Sequence, residues 1–349
     1  MYLKIAGGCG EHGRNCFFVD YTAPFLVDCG IMAGAAEPFP NLAEREIKRL
    51  EYVFLTHSHA DHTGALPWLY ERGFTGVIVA AAPTLEQLPF KPKYSIALKK
   101  LHGEIGGIKF AHGRSGHCQG AVWYEFSVSG KKLLFSGDYT ENSLMYHCDP
   151  IRGRNADIAV IDCAYGWDSR SYSQCCDEIT AAVSEMKQRH RTIVFPVPKY
   201  GRGIDLLRLL NENFPDFTCC GDEHFMSQLK ELSERRWYKN KTIYAKLYTP
   251  GTPCDILFLS DPQLRSSYSL NIAESIIAGG GAAVMTGTPE RGSASERLIS
   301  SGKMKLMRYP VHQNHAEYTE LVRQNDFGRV IPYHSPEFPA GESIIEITV

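Results

Sequence analysis

The first half of the chain is patterned for β-strands. Short apolar or alternating runs occur at 52–55, 122–128, 132–135 and 157–161, and several of them are bounded by Gly, Ser or Asn. Runs of this length and punctuation are typical of strands with at least one buried face. Residues up to about 170 are therefore predicted to form a β-rich unit.

After residue 170 the pattern changes to alternating helices and strands. Between 171 and 190 the apolar residues recur at helical spacing, at Ile179, Ala182, Val183 and Met186. A strand follows at 192–195, Leu206, Leu207 and Leu210 repeat the helical spacing, and further strands are predicted at 255–259 and 282–285. This alternation predicts an α/β segment with a partly parallel sheet.

The end of the chain is predicted to return to the first unit. The α/β segment ends near Gly302, and 305–309 has the pattern of a strand that rejoins the β-rich part. A helix at 316–324 and two strands complete the chain. We therefore predict a discontinuous domain, 1–170 with 305–349, interrupted by an inserted domain at 171–304, and we expect substrate to bind in a cleft between them.

Composition fits a globular chain but does not itself indicate nucleic-acid binding. The 349 residues are 44% hydrophobic, which is enough for two buried cores. The net charge of −2 and the pI near 6.7 argue against broad nonspecific binding to nucleic acid. Basic residues nevertheless form three local clusters, at Lys91, Lys93, Lys99 and Lys100, at Arg152 and Arg154, and at Arg235, Arg236, Lys239 and Lys241. Such clusters most often lie on solvated surface.

Cysteine usage and hydropathy predict a reduced, cytoplasmic protein without a membrane segment. The eleven cysteines include no CxxC pair, and the start of the chain lacks the basic flank and apolar core of a secretion signal. No segment approaches the roughly 20 apolar residues that span a bilayer. Cys118, beside a candidate ligand, is interpreted as a small buried apolar residue.

Metal-ligand chemistry is concentrated in one short loop after the strand at 52–55. His57, His59, Asp61 and His62 fall within six residues. Imidazole nitrogen and carboxylate oxygen are ligands that zinc accepts, and residues two apart on an extended segment point the same way while the following turn points elsewhere. One loop can therefore provide ligands to two neighbouring metal ions. The alternative is a polar loop that caps a helix through Asp61 or Thr63.

Three later residues can complete two coordination shells. His117 lies in a turn before the strand at 122–128, Asp138 follows the strand at 132–135, and His334 closes the apolar run at 330–333. A carboxylate just beyond a strand can be aimed into a cleft, so Asp138 could bridge both ions.

The order of these motifs, HxHxDH, GH, SGD and a late strand-end histidine, resembles the metallo-β-lactamase fold hydrolases. Within them the chain is most similar to the β-CASP nucleases of the RNase J and mRNA 3′-end-processing type, because of further stretches at 157–166, 195–202 and 312–318 and the opening 7–15. The resemblance implies an α/β fold, a metallo-β-lactamase αββα sandwich with an inserted α/β β-CASP domain.

The resemblance also implies which residues form the site. It gives one zinc ion the ligands His57, His59, His117 and Asp138, and a second zinc ion the ligands Asp61, His62, Asp138 and His334, with manganese as the alternative metal. It counts Asp61 as catalytic, assigns His315 as general acid for the leaving group, and assigns Asp162 to hold the His315 ring. His12, His112 and His312 are left out as isolated histidines.

The implied reaction is hydrolysis of phosphodiester bonds in single-stranded RNA. Histidine at the position of His334 is typical of the RNA-processing members of the family, whereas the DNA-repair branch usually has valine there. A DNA nuclease, a specialised phosphodiesterase and a nucleic-acid-binding protein with weak activity remain as alternatives. Because the chain has no extra RNA-binding domain, a homodimer or a protein partner is a further expectation.

Overall fold

A computed structural model describes residues 1–240, 242–339 and 341–348. Lys241 of the third basic cluster lies outside these residues. The strands are β1 (Tyr2–Gly7), β2 (Cys16–Asp20), β3 (Phe25–Val27), β4 (Tyr52–Phe54), β5 (Val77–Ala80), β6 (Ser95–Ala97), β7 (His102–Ile105), β8 (Ile108–Arg114), β9 (Val122–Val128), β10 (Lys131–Phe135), β11 (Asn155–Asp162), β12 (Ile193–Pro196), β13 (Cys219–Gly221), β14 (Lys246–Leu247), β15 (Ile256–Leu259), β16 (Ala282–Met285), β17 (Lys305–Leu306), β18 (Asp326–Tyr333) and β19 (Ile344–Glu346).

The helices fall mainly between strands, as the pattern of the sequence predicts for the second half. They are α1 (Glu44–Arg49), α2 (Ala60–Thr63), α3 (Leu66–Glu71), α4 (Ala82–Gln87), α5 (Tyr172–Lys187), α6 (Arg202–Asn213), α7 (Glu223–Lys230), α8 (Ser267–Ala278), α9 (Ala294–Ser300) and α10 (His315–Arg323), with a short 3₁₀ turn at Glu231–Ser233. No helix in the described ranges has the length and apolar character that a bilayer crossing requires.

The chain divides into two compact units. The first unit contains Met1–Glu141, His147–Ser169 and His312–Val349, and the second contains Asn142–Tyr146 and Arg170–Val311. The domain boundaries at 170/171 and 304/305 stay predictions. The strand expected to rejoin the first unit, at 305–309, is placed differently, because β17 pairs in parallel with β16 in the sheet of the second unit.

The first unit is built from two sheets with helices outside them. One sheet has the strand order β19-β1-β2-β3-β4-β5-β6 and the other β18-β11-β10-β9-β8-β7. Their inner faces meet through aromatic rings, since Phe126 of β9 lies 4.9 Å from both Phe25 of β3 and Phe54 of β4. Ile47 of α1 and Leu66 and Leu69 of α3 pack against the outer face of the first sheet. Leu321 of α10 packs on the outer face of the second.

The second unit has one sheet of six strands, in the order β14-β13-β15-β12-β16-β17. Every pair in this sheet is parallel, so the predicted partly parallel sheet is parallel throughout the described strands. Parallel strands need crossover connections, and α6, α7, α8 and α9 each connect two strands of this sheet that follow one another in sequence. Ser171 begins α5 with a capping box, in which its side chain accepts from the Gln174 N–H.

Candidate metal centre

The candidate ligands are collected at the carboxyl ends of strands. Strands β10, β11 and β18 are parallel neighbours, and Asp138, Asp162 and His334 come at or just after their ends. In the other sheet β3 and β4 are parallel, and His57 follows the end of β4. Because parallel strands end at the same edge of a sheet, side chains distant in sequence meet there.

The first predicted ligand set comes together as four inward-facing atoms. His59 Nδ1 lies 3.1 Å from His57 Nε2 and 3.1 Å from His117 Nε2. Asp138 Oδ2 lies 3.5 Å from His57 Nε2 and 3.4 Å from His117 Nε2. Zinc ligands at 2.0–2.2 Å in a tetrahedron are separated by about 3.3 to 3.6 Å, so these spacings are close to those of a tetrahedral zinc site.

The second predicted ligand set lies on the other oxygen of Asp138. Asp138 Oδ1 is 3.0 Å from His62 Nε2 and 3.2 Å from His334 Nδ1. Asp61 Oδ2 is 3.1 Å from His334 Nε2 and 3.6 Å from His62 Nε2. Within each set, one ligand atom per residue falls within 4.8 Å of the others. Asp138 thus presents one oxygen to each set, as a bridging carboxylate does.

The ring of His334 supports the interpretation of these groups as ligands. It is 2% exposed, and its two nitrogens face carboxylate oxygens on both sides, with Nδ1 3.2 Å from Asp138 Oδ1 and Nε2 3.1 Å from Asp61 Oδ2. Its backbone is held at φ +72° by a hydrogen bond from its N–H to Gly8 O, in a conformation that side chains other than glycine rarely adopt. Imidazole nitrogens and carboxylate oxygens gathered at these distances form a donor set that zinc accepts. The residues present therefore fit a metal ion.

Charges in the centre stabilise one another. Burial alone raises the pKa of Asp138 and Asp61, but neighbouring imidazoles, His62 first, hold the pKa of both carboxyls well below its usual value. Burial alone lowers the pKa of His62 and His334, but the carboxylates, Asp138 first, raise it well above its usual value. His57 differs, because burial lowers its pKa well below the ordinary range. The cluster therefore combines carboxylate anions with rings that must lose protons before they bind metal.

Asp28 is a supporting residue that the sequence analysis missed. Asp28 Oδ2 lies 2.7 Å from His62 Nδ1 and accepts a hydrogen bond from the Thr56 hydroxyl at 2.7 Å, while Asp28 Oδ1 accepts one from the Thr56 N–H at 2.7 Å. Burial raises the pKa of Asp28, and the His62 ring opposes that shift. A carboxylate on the far nitrogen of a ligand histidine fixes its tautomer and orientation. The available signal is a carboxylate directly after a buried strand, in the run Val27-Asp28-Cys29-Gly30.

Asp162 holds His312 and not His315, so the predicted pairing is wrong. His312 Nδ1 lies 2.8 Å from Asp162 Oδ2, which also accepts the Tyr139 N–H at 2.9 Å. His315 is the first residue of α10, which Asn314 caps, and its ring contacts Trp167. Because the helix starts at 315, the histidine in the extended segment before it faces the carboxylate. His312 also lies within 4.8 Å of Asp138 and His334 when one ligand atom per residue is counted.

The other two histidines left out of the predicted site, His12 and His112, lie in different environments. His12 stacks on His334 at 4.4 Å with 13° between the rings, and its Nδ1 lies 2.9 Å from His334 O. Burial lowers the pKa of His12 to about 4, so this ring is neutral beside the centre. His112 Nε2 lies 2.9 Å from Lys100 O, a local contact of the expected kind. Cys118 is buried, as expected, with 2% exposure.

Comparisons with known proteins agree with this architecture. Residues 9–181 match the metallo-beta-lactamase superfamily. The transcription termination factor FttA of Methanothermobacter thermautotrophicus is 26% identical over 251 residues, which are 60% of this chain and 39% of that protein. The endoribonuclease YSH1 of Kluyveromyces lactis is 21% identical over 245 residues, which are 59% of this chain and 32% of that protein. The chain thus spans less than two fifths of the length of these relatives.

A solved structure shares the fold across nearly the whole chain. It is a protein of unknown function from Enterococcus faecalis V583, with a TM-score of 0.62 and 12% identity, and the match covers 96% of this chain and 94% of that one. Together with the superfamily match and the two-sheet first unit, these results confirm the predicted metallo-β-lactamase fold. The superfamily match and the two named relatives also confirm the resemblance to the β-CASP nucleases.

Proposed function

Because residues 9–181 match the metallo-beta-lactamase superfamily, we propose that the protein is a zinc-dependent phosphodiesterase that cleaves single-stranded RNA. The observation that carries this proposal is the bridging position of Asp138, whose two oxygens face two separate sets of nitrogen and oxygen ligands. Two ions held by these sets would suit in-line displacement at a phosphorus centre.

The proposed ligand sets are those of the resemblance. His57, His59, His117 and Asp138 would hold one ion, and Asp61, His62, Asp138 and His334 would hold the other. Sets of imidazole and carboxylate with few protein ligands per ion suit zinc, and manganese is the alternative. When bound, zinc would supply activation of a water nucleophile near neutral pH and positive charge for the phosphoryl oxygens.

We assign the proton transfer to His312 in place of His315. Asp162 fixes the His312 ring through Nδ1, which leaves Nε2 to give a proton to the leaving oxygen. Two N–H groups, those of Tyr139 and Ala164, hold Asp162 in turn. Asp28 holds His62 in the orientation that a ligand needs. Each of these groups therefore has a partner that fixes its direction before substrate binds.

RNA is the proposed substrate for two reasons. One relative that the chain matches is named an endoribonuclease, and His334 occupies the position where the RNA-processing members of the resembled family carry histidine. We further propose that the protein acts in a reducing compartment, the cytoplasm, because all eleven cysteines are free thiols.

Cleavage of matched 5′-labelled single-stranded RNA and DNA tests the proposal, with zinc or manganese added to metal-free protein. We expect RNA to be cut by the intact protein and by a surface control, Glu44→Ala/Lys48→Ala, which removes an exposed ion pair on α1. The double variant Asp61→Ala/His62→Ala should cut neither strand. Preferential cutting of DNA, or RNA cutting that survives the double variant, would contradict the assignment.

A further inference from the structure

Four aromatic rings of the first unit form a cluster that the proposed hydrolysis does not use. We call Trp167, His315, Tyr318 and Phe338 the aromatic platform. The Trp167 ring centroid lies 4.6 Å from that of His315 and 4.6 Å from that of Phe338. His315 and Phe338 are nearly parallel, at 18° and 6.3 Å. Trp167 nevertheless remains 60% exposed, so the cluster presents one large open ring to solvent.

The backbone beneath the platform is fixed from two sides. The Trp167 N–H donates to Glu337 Oε2 at 2.7 Å, and the His315 N–H donates to Asp168 O at 2.9 Å. Gly166 sits at φ +56°, and a Cβ there would lie 2.1 Å from Glu337 Oε2. Glycine suits both this left-handed backbone and the close approach of the Glu337 carboxylate. Three chain segments therefore hold the Trp167 ring in place, which lowers the entropy lost when a ligand packs on it.

The platform lies within a short stretch of chain from the proposed catalytic groups. Asp162 and Trp167 lie on the same connection, five residues apart, so their Cα atoms are separated by no more than about 18 Å. Between them the Tyr165 ring packs on His312, with centroids 5.2 Å apart. A chain of a few nucleotides that reaches His312 can therefore also reach Trp167.

We propose that the aromatic platform is a stacking subsite for one nucleobase of the single-stranded RNA, with Trp167 as the face on which the base lies. This rests on the proposed function, and it names a second place where the same substrate is held. Unpaired bases stack on aromatic side chains, and this contact tolerates every base because each has a π-face. The subsite therefore adds affinity for single strands without adding sequence preference.

Binding of a short oligoadenylate and of an abasic phosphodiester of equal length tests the subsite, with full-length protein kept in chelator to prevent cleavage. Tryptophan fluorescence reports stacking, because Trp123 and Trp237 are only 2% and 4% exposed and the fourth tryptophan, Trp68, is half-buried with one face stacked on the Phe39 ring at 5.1 Å. We expect the oligoadenylate to quench the wild-type emission. Trp167→Ala should bind the oligoadenylate about 5- to 150-fold more weakly, and Trp167→Phe should recover most of the affinity.

Two comparisons separate stacking from structural damage and from failure of the proposed function. The abasic strand should bind wild type and Trp167→Ala equally, and Tyr94→Ala, which removes a ring 51% exposed elsewhere in the first unit, should behave as wild type. If RNA is cleaved in zinc but Trp167→Ala binds oligoadenylate as tightly as wild type, the stacking subsite is overturned and the function stands. If wild type neither binds nor cleaves RNA, both are overturned.

Discussion

Asp138 is the residue on which both candidate metal positions depend. It is 2% exposed, and its two oxygens lie within 3.5 Å of four different imidazole rings, those of His57, His117, His62 and His334. Such an arrangement of a buried carboxylate among imidazoles stabilises the anion without a metal and provides a bridge when metal is bound. Around this bridge, single side chains have separable roles that substitution can test.

His312 and His315 lie three residues apart but are expected to differ in their effect on rate. His312→Ala should lower turnover of RNA by about 100- to 10,000-fold, because it removes the proton donor, while zinc content stays at the wild-type value. His315→Phe keeps a ring in the aromatic platform and should change turnover little. Steady-state cleavage with metal analysis of each variant checks this. Loss of turnover in His315→Phe, together with wild-type rates in His312→Ala, would show that His315 is the general acid.

Asp28 should affect zinc affinity although it is not in either ligand set. Asp28→Asn removes the negative charge behind His62 Nδ1, and we expect zinc to bind about 10- to 100-fold more weakly. Competition with a chromophoric chelator measures this change. Asp149→Asn is the matched control, because that carboxylate pairs with Arg114 and is outside the candidate metal sets. Equal zinc affinity in Asp28→Asn and wild type would show that Asp28 does not orient His62 for metal binding.

At the scale of elements, the connection after β3 positions the ligand loop through its backbone. Cys29 N–H donates to His62 O at 2.7 Å, and Ile31 N–H donates to Ala60 O at 3.0 Å. Gly30 lies between them, where a Cβ would be 1.6 Å from Asp61 O. The loop that carries four candidate ligands therefore packs directly against the backbone of Gly30.

Gly30→Ala should displace this loop. The added methyl group cannot fit beside Asp61 O, so we expect the free energy of unfolding to fall by about 1 to 3 kcal/mol or more. Zinc content should fall with it, because Asp61 and His62 move. Chemical denaturation and metal analysis measure both. Gly341→Ala is the control, since a Cβ there meets nothing within 4 Å. A stable Gly30→Ala protein with full zinc would show that the loop does not depend on this contact.

Elements with strong local patterns were predictable from sequence, and competing local signals explain the rest. The strand β9 and the helix α5 match their patterns closely, and the ligand residues meet because they follow strand ends. His312 was missed because two histidines three apart compete for one role, and only the start of α10 decides between them. The placement of β17 was missed because a two-residue strand has too few side chains to specify its sheet.

At the scale of the whole molecule, metal and protons compete for the same site. Without metal, the raised pKa of His62 and His334 gives stability that is complete below the unfolded imidazole pKa of about 6.5 and is lost as pH rises through the folded value. The lowered pKa of Asp61 and Asp138 gives stability that is present above about 3.9 and is lost as pH falls. The charged groups of this site should therefore stabilise the folded metal-free protein most between about pH 4 and 6.5.

Zinc should stabilise the protein more as pH rises. The ligand rings must lose protons to bind metal, so zinc affinity increases with pH while the stabilising charge pairs of the metal-free site disappear. Zinc at roughly 100 times its Kd stabilises the folded state by about 2.7 kcal/mol. Thermal unfolding with zinc or chelator should show a Tm difference that grows from about pH 6 to 8. A difference that shrinks over this range would contradict the linkage.

The most direct test of two-metal hydrolysis is a zinc titration of metal-free protein that follows bound zinc and cleavage of labelled single-stranded RNA together. We predict that two ions bind per chain, that cleavage appears as the second binds, and that Asp138→Ala, which loses the bridge between the ligand sets, shows no cleavage at any zinc concentration. Full cleavage with fewer than two ions, or cleavage by Asp138→Ala, would contradict it.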